Sequence, residues 1–237
     1  MRQYATLKIP SPGSIINNDP DSWEMRELDR NYRNALKKDC PAIARLATLA
    51  GGGFVDFLYH DLIPDKTPVE ILEKNLASPE GPYSWENAIV AEIAGEIAGG
   101  ALSYPSVYYR ITPEMERLIP KERLEHVREN FSSRVENSWF LDYLAVFPEF
   151  HGMGIGSRLI DLTKQRALEK GYQTLSLSVF ADNIQAQSLY SRKGFVTVRK
   201  VELGSHELMP HEGGCMLMKC SLVDDSSICK GTLTSDE

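Results

Sequence analysis

Pro148-Glu149-Phe150-His151-Gly152-Met153-Gly154-Ile155-Gly156-Ser157-Arg158 is the stretch on which the reading of this chain turns. Before it, Trp139 to Phe147 is apolar and β-prone. After it, Ile155, Leu159, Leu162 and Ala167 recur at helical spacing as far as Lys170, and Gly171 supplies a stop. The stretch is therefore a glycine-rich turn between a strand and a helix. A helix N-terminus carries backbone N–H groups with no intrahelical partner, and it is the positive end of the helix dipole. Glycines remove the β-carbons that would keep a ligand away from those amides. Such a turn is suited to holding phosphate. Two common phosphate loops do not fit. The dinucleotide pattern G-x-G-x-x-G ends on Ser157 when counted from Gly152 and on Leu159 when counted from Gly154. A P-loop would need Gly-Lys-Ser/Thr, which is missing here.

Outward from this turn, the chain reads as a mixed α/β, or α+β, domain. Downstream come a strand over Thr174 to Phe180, a short helix over Asn183 to Lys193 ended by Gly194, and strands over Phe195 to Leu203 and Cys215 to Leu222. Upstream, Asn87 to Ile93 and Glu96 to Tyr104 are strands joined by Ala94-Gly95, a hairpin-compatible joint. Residues 105–137 are polar, mostly helical in pattern, and read as an insertion between strands. Val69 to Ala77 is a helix, and Tyr32 to Leu36 a short strand. Between them Asp39 stands where an N-cap belongs, before a helix that carries Pro41 in its first turn and stops at Gly51-Gly52-Gly53. Residues 1–30 read as an irregular extension. Residues 223–237 are Ser/Asp/Thr-rich and are expected to be disordered.

Composition narrows the function classes. The chain has 237 residues, 42% of them hydrophobic and 25% charged, enough for one domain with a real core. Its net charge is -7, and no Lys/Arg-rich run builds the basic face that nucleic acid requires. No apolar run has the length to cross a bilayer and no signal peptide is evident, so the expected compartment is the cytoplasm. The four cysteines, Cys40, Cys215, Cys220 and Cys229, show neither a disulfide framework nor metal-ligand spacing, and no metal is expected. Cys40, at a helix start, is placed to have a lowered thiol pKa, although no His partner motif accompanies it.

The turn resembles the coenzyme A signature of the GNAT acetyltransferase superfamily, Arg/Gln-x-x-Gly-x-Gly/Ala after an apolar strand ending in Val-x-Pro-Glu. Leu144-Ala145-Val146-Phe147-Pro148-Glu149-Phe150 precedes it here, Gly154 and Gly156 fill the small positions, and His151 replaces Arg or Gln. A neutral His would give a pyrophosphate less charge than Arg. A second stretch, Asn183-Ile184-Gln185-Ala186-Gln187-Ser188-Leu189-Tyr190-Ser191-Arg192-Lys193-Gly194-Phe195, is similar to the family's other recurrent segment, one helix and one strand later. The resemblance covers residues 31–222. It implies a mostly antiparallel mixed sheet flanked by helices, with a parallel pair, 139–147 and 174–180, splayed to admit the pantetheine arm.

The resemblance also implies roles. Backbone amides over His151, Gly152, Met153, Gly154, Ile155, Gly156 and Ser157 would cradle the pyrophosphate of acetyl-CoA. Leu144, Ala145 and Val146 would offer a strand edge to the pantetheine, with Asn183 and Ala186 beside it; capping its own helix is the other reading of Asn183. Tyr190 would protonate the leaving thiolate. Asp142 is the candidate base or acceptor-binding residue, on the strand face of Leu144 and Val146 by alternation, with Tyr143 facing the other way. Glu92 is a second candidate base. His206 and His211 sit in the loop before the last strand, where they could touch the acceptor or simply be solvated. The implied activity is direct acetyl transfer to a primary amine, on a small molecule or a protein; the alternative is a non-catalytic acyl-CoA sensor on the same fold. No nucleic-acid or membrane partner is implied, and a homodimer would be unsurprising.

Overall fold

The computed structural model describes residues 30–79 and 81–223, so the expectations for an irregular extension and a disordered tail lie outside the described residues apart from Arg30 and Val223. Among these residues seven strands form one sheet: β1 Arg30–Asn34, β2 Ala88–Ile93, β3 Glu96–Pro105, β4 Trp139–Val146, β5 Thr174–Phe180, β6 Val196–Val201 and β7 Cys215–Ser221. Their spatial order is β1-β2-β3-β4-β5-β7-β6. Every neighbouring pair is antiparallel except β4 and β5. The β2–β3 hairpin turns at Ala94 and Gly95, both with positive φ, the backbone twist that a two-residue hairpin prefers.

Among the described residues, seven α-helices cover the sheet. They are α1 Cys40–Gly51, α2 Phe54–Tyr59, α3 Pro68–Leu76, α4 Pro113–Leu118, α5 Lys121–Ser132, α6 Ile155–Glu169 and α7 Ile184–Arg192. The apolar sides of α6 and α7 meet one face of the sheet, where Ile155, Leu159, Ile160, Ala167 and Tyr190 pack with Leu141, Leu175 and Leu177. Residues from α1 and α3 cover the other face, with Ile43, Leu46, Leu72 and Leu76 against Val90, Leu102 and Phe140. A third cluster joins α2 and α5 to β6, β7 and the loop between them through Phe57, Leu124, Val127, Val201 and Leu217.

The expected insertion runs from β3 to β4 and contains α4 and α5. Buried Asn130 anchors it: its Oδ1 accepts from Ser178 Oγ at 3.1 Å, and its Nδ2 donates to the Tyr109 hydroxyl at 2.6 Å. The Tyr109 ring stacks on Phe140, centroids 4.2 Å apart. The helix start at Asp39 differs from expectation. Asp39 makes no side-chain cap for α1. Its carboxylate instead accepts from Leu36 N–H at 2.7 Å and from Arg33 Nη1 at 2.7 Å, because the chain enters α1 through a 3₁₀ turn, Lys37–Asp39, that folds the carboxylate back onto β1. The Cys40 thiol is buried and pushed up, not down, because desolvation disfavours the thiolate. No helix among the described residues is long and apolar enough to cross a membrane.

Candidate active site

The parallel seam is short. β4 and β5 pair only at Trp139–Leu175, Phe140–Ser176 and Leu141–Leu177. Beyond Leu141, β4 stays paired with β3 as far as Val146, and β5 stays paired with β7 as far as Phe180. Each strand thus leaves an unpaired edge, and a gap opens between them. A groove of about 420 Å³ adjoins this gap, lined by Leu144, Ala145, Val146, Phe150, His151, Gly152, Gly154, Ile155, Gly156, Ser157, Ala186, Leu189, Tyr190 and Arg192.

The turn at the head of α6 is built from the residues that the sequence singles out. The first helical bond runs from Arg158 N–H to the Gly154 carbonyl at 3.1 Å, so the amides of Ile155, Gly156 and Ser157 stand before the helix begins to use its own. Gly152 and Gly154 have φ of +78° and +76°, which favours glycine, and no protein atom lies within 4 Å of where a β-carbon would stand on either. At Gly156 a β-carbon would meet only Leu189 Cδ2 at 3.7 Å and Val146 Cγ2 at 3.8 Å, ordinary contacts. The fold itself does not need glycine there, and the bare backbone at Gly156 leaves the groove open on that side.

Several predicted residues stand elsewhere. His151 does line the groove, but its Nε2 lies 2.9 Å from the Val146 carbonyl, so the imidazole is turned back onto β4. Met153 is absent from the lining; its side chain packs against the core and its carbonyl accepts from Arg30 Nη1 at 3.1 Å. Asn183 caps α7, accepting from Ala186 N–H at 3.1 Å. It borders a neighbouring hollow with Asp182 and His211. His211 is not merely solvated. Its ring stacks on Phe180 at 3.7 Å, and its Nδ1 is 2.8 Å from Asp182 Oδ1. His206 packs edge-on against Phe57, centroids 4.8 Å apart.

Phe150, Leu189 and Arg192 line the groove and were not among the expected residues. Arg192 supplies the guanidinium that His151 lacks, held by a bond to Ser188 Oγ at 2.7 Å. The three-residue spacing of Ala186, Leu189 and Arg192 along one helix face was the available signal. Tyr190 is 8% exposed, and burial pushes its phenol up to about 12, so it holds its proton across the working range of pH.

Asp142 occupies the point where the seam ends. Leu102 pairs with Tyr143 and Ser103 with Leu141, which makes Asp142 the extra residue of a β-bulge. The bulge reverses the alternation. Trp139 and Leu141 pack with α6, yet past the bulge it is Leu144 and Val146 that do so, while Tyr143 and Ala145 join Phe140 on the opposite face. Asp142 Oδ1 accepts from the Tyr104 hydroxyl at 2.6 Å, and Tyr104 belongs to that opposite face. Asp142 therefore sides with Tyr143 and not, as alternation implied, with Leu144 and Val146. Burial raises its carboxyl to about 6, and the Tyr104 bond opposes the rise. Glu92, the other candidate base, is tied to Arg33 at 2.7 Å.

Comparison with known proteins agrees with this geometry. A model of the acetyltransferase (GNAT) family matches residues 55–195. Over 174 residues the chain is 36% identical to thialysine N-epsilon-acetyltransferase of Bos taurus, covering 72% of this chain and 86% of that one. A solved acetyltransferase is 31% identical with a TM-score of 0.59, over 81% of this chain and all of the other. The structure of yncA from Salmonella typhimurium, solved with its cofactor acetyl-CoA, shares the fold at 17% identity and a TM-score of 0.55, over 84% and 97% of the two chains.

Proposed function

The chain belongs to the acetyltransferase (GNAT) family and is an N-acetyltransferase, and on that premise we propose that it transfers the acetyl group of acetyl-CoA directly to a primary amine. The observation that carries this reading is the parting of β4 and β5 after three paired positions, beside a groove headed by free helix amides. The groove suits an extended thioester. The amides of Ile155, Gly156 and Ser157 and the guanidinium of Arg192 suit its pyrophosphate. The unpaired edge of β4 over 142–146 offers backbone partners to the amides of the pantetheine.

Tyr190 and Asp142 stand on opposite faces of the sheet, and the gap between the strands is the passage from one to the other. On the Asp142 side the carboxylate takes a proton from the ammonium form of the acceptor. The freed amine nitrogen then forms a bond to the thioester carbon, the carbon–sulfur bond breaks as Tyr190 gives its proton to the departing sulfur, and the second proton lost by the nitrogen as the amide forms restores the Tyr190 phenol. The balance is acetyl thioester plus ammonium giving amide, free thiol and one proton. No acyl-enzyme is needed. The bovine relative's name makes an amine at the end of an alkyl chain the acceptor to try first.

The deciding experiment follows thiol release from acetyl-CoA against a panel of primary amines that includes thialysine, with wild type and Tyr190→Phe. At least one amine should release coenzyme A, and the variant should slow turnover by ~10²–10⁴-fold. Turnover of no amine and no protein amine, with acetyl-CoA bound, would leave the sensor reading in its place.

A further inference from the structure

We propose that Tyr104 is the positioning residue for Asp142, pinning Oδ1 so that Oδ2 is presented to the incoming amine. This rests on the reading of Asp142 as the acceptor-side base. Tyr104 stands on β3, opposite Phe140, one pair beyond the bulge that frees Asp142 from the ladder. The bulge leaves the Asp142 backbone without a cross-strand partner, so the side chain needs its own anchor. The 2.6 Å bond from a phenol that is 4% exposed provides it. Oδ2 carries no hydrogen bond among the described residues.

The surroundings sharpen the role. The groups near Asp142 are Tyr59 of α2, Tyr83 before β2, Tyr109 of the insertion and the adjacent Tyr143. Burial raises all four phenols, so none of them carries charge near neutral pH. Among the described residues no cation supports the carboxylate, and the Tyr104 hydroxyl is the one group whose bond favours its ionised form. The carboxylate is thus set among neutral tyrosines, where the acceptor's ammonium would supply the missing positive charge.

The test is the pH dependence of kcat and kcat/KM with the best amine, for wild type, Tyr104→Phe and Asp142→Asn. The wild-type acid limb is expected near the Asp142 value of about 6. Tyr104→Phe should move that limb up by ~1 pH unit, since a bond to the ionised form is lost, and lower the plateau kcat by ~10-fold. KM for acetyl-CoA should stay within about twofold, because Tyr104 does not line the groove. A fluorinated tyrosine at 104 keeps the shape and donates more strongly, so its limb should move down; this holds the test open if the Phe variant folds poorly. A limb fixed near 6 in either Tyr104 variant would overturn the proposal. Unchanged kcat and limb in Asp142→Asn would instead show that the base reading itself is at fault.

Discussion

At the scale of single residues, Asp142 links stability to activity with opposite signs. Its carboxyl lies near 6 in the folded protein and near 3.8 when unperturbed. The folded state therefore binds the proton more tightly, and stability falls as pH rises from about 4 to 6. The loss amounts to ~3 kcal/mol by pH 7, at 1.36 kcal/mol per unit. Asp142→Asn removes it. The variant should match wild type in denaturant unfolding near pH 4, exceed it by up to ~3 kcal/mol at pH 8, and be slow in turnover. A stability difference that does not change with pH would mean that this carboxyl ionises normally. Tyr190 was named as a candidate through the family resemblance, and the place of Asp142 on a strand was legible in the apolar run 139–147. The direction of Asp142 was not. Its side is set by a bulge against β3, and its partner Tyr104 arrives from 38 positions away. Period-two alternation assumes an unbroken ladder, and no local feature of Leu141-Asp142-Tyr143 announces that the ladder breaks there.

At the scale of elements, the glycine turn and α6 were the most legible part of the chain, because strand, turn and amphipathic helix each carry their own pattern. The helix α2 was missed: six residues, Phe54–Tyr59, directly after three glycines, are too few to show a period. Its position depends on contact with the loop after β6. Gly53 packs so closely on the Leu208 carbonyl that any β-carbon would collide with it, and Gly52 packs likewise on His211. The triplet therefore does more than end a helix. Gly156 gives the opposite case, a glycine that the fold does not require. Gly156→Ala should raise the unfolding free energy by ~0.5–1 kcal/mol, as expected of alanine in a helix. The same change should raise KM for acetyl-CoA, since the methyl group can only reach the groove side without displacing protein. Thermal unfolding and steady-state kinetics on one preparation decide this; a lower melting temperature with unchanged KM would place the glycine's role in packing.

At the scale of the molecule, the sheet consists of two leaves, β1–β4 and β5–β7–β6, joined by three ladder positions and covered on one face by α6. The family resemblance led to the splayed pair, whereas the strand patterns alone would not reveal where pairing stops. Coenzyme binding is expected to bridge the leaves. Amide hydrogen exchange should slow on addition of acetyl-CoA over 142–146 and 152–157 and change little over β1 and β6. Uniform protection of the sheet would argue for global stabilisation without a local site. The division also follows the chain: one leaf is drawn wholly from residues before the glycine turn and the other wholly from residues after α6. Each leaf is thus one continuous run of chain, and the contacts of the β3–β4 insertion with β6 and β7 tie the two together. The gap then falls where two runs of chain meet, and on the proposed function that unfinished join is the opening for the substrate.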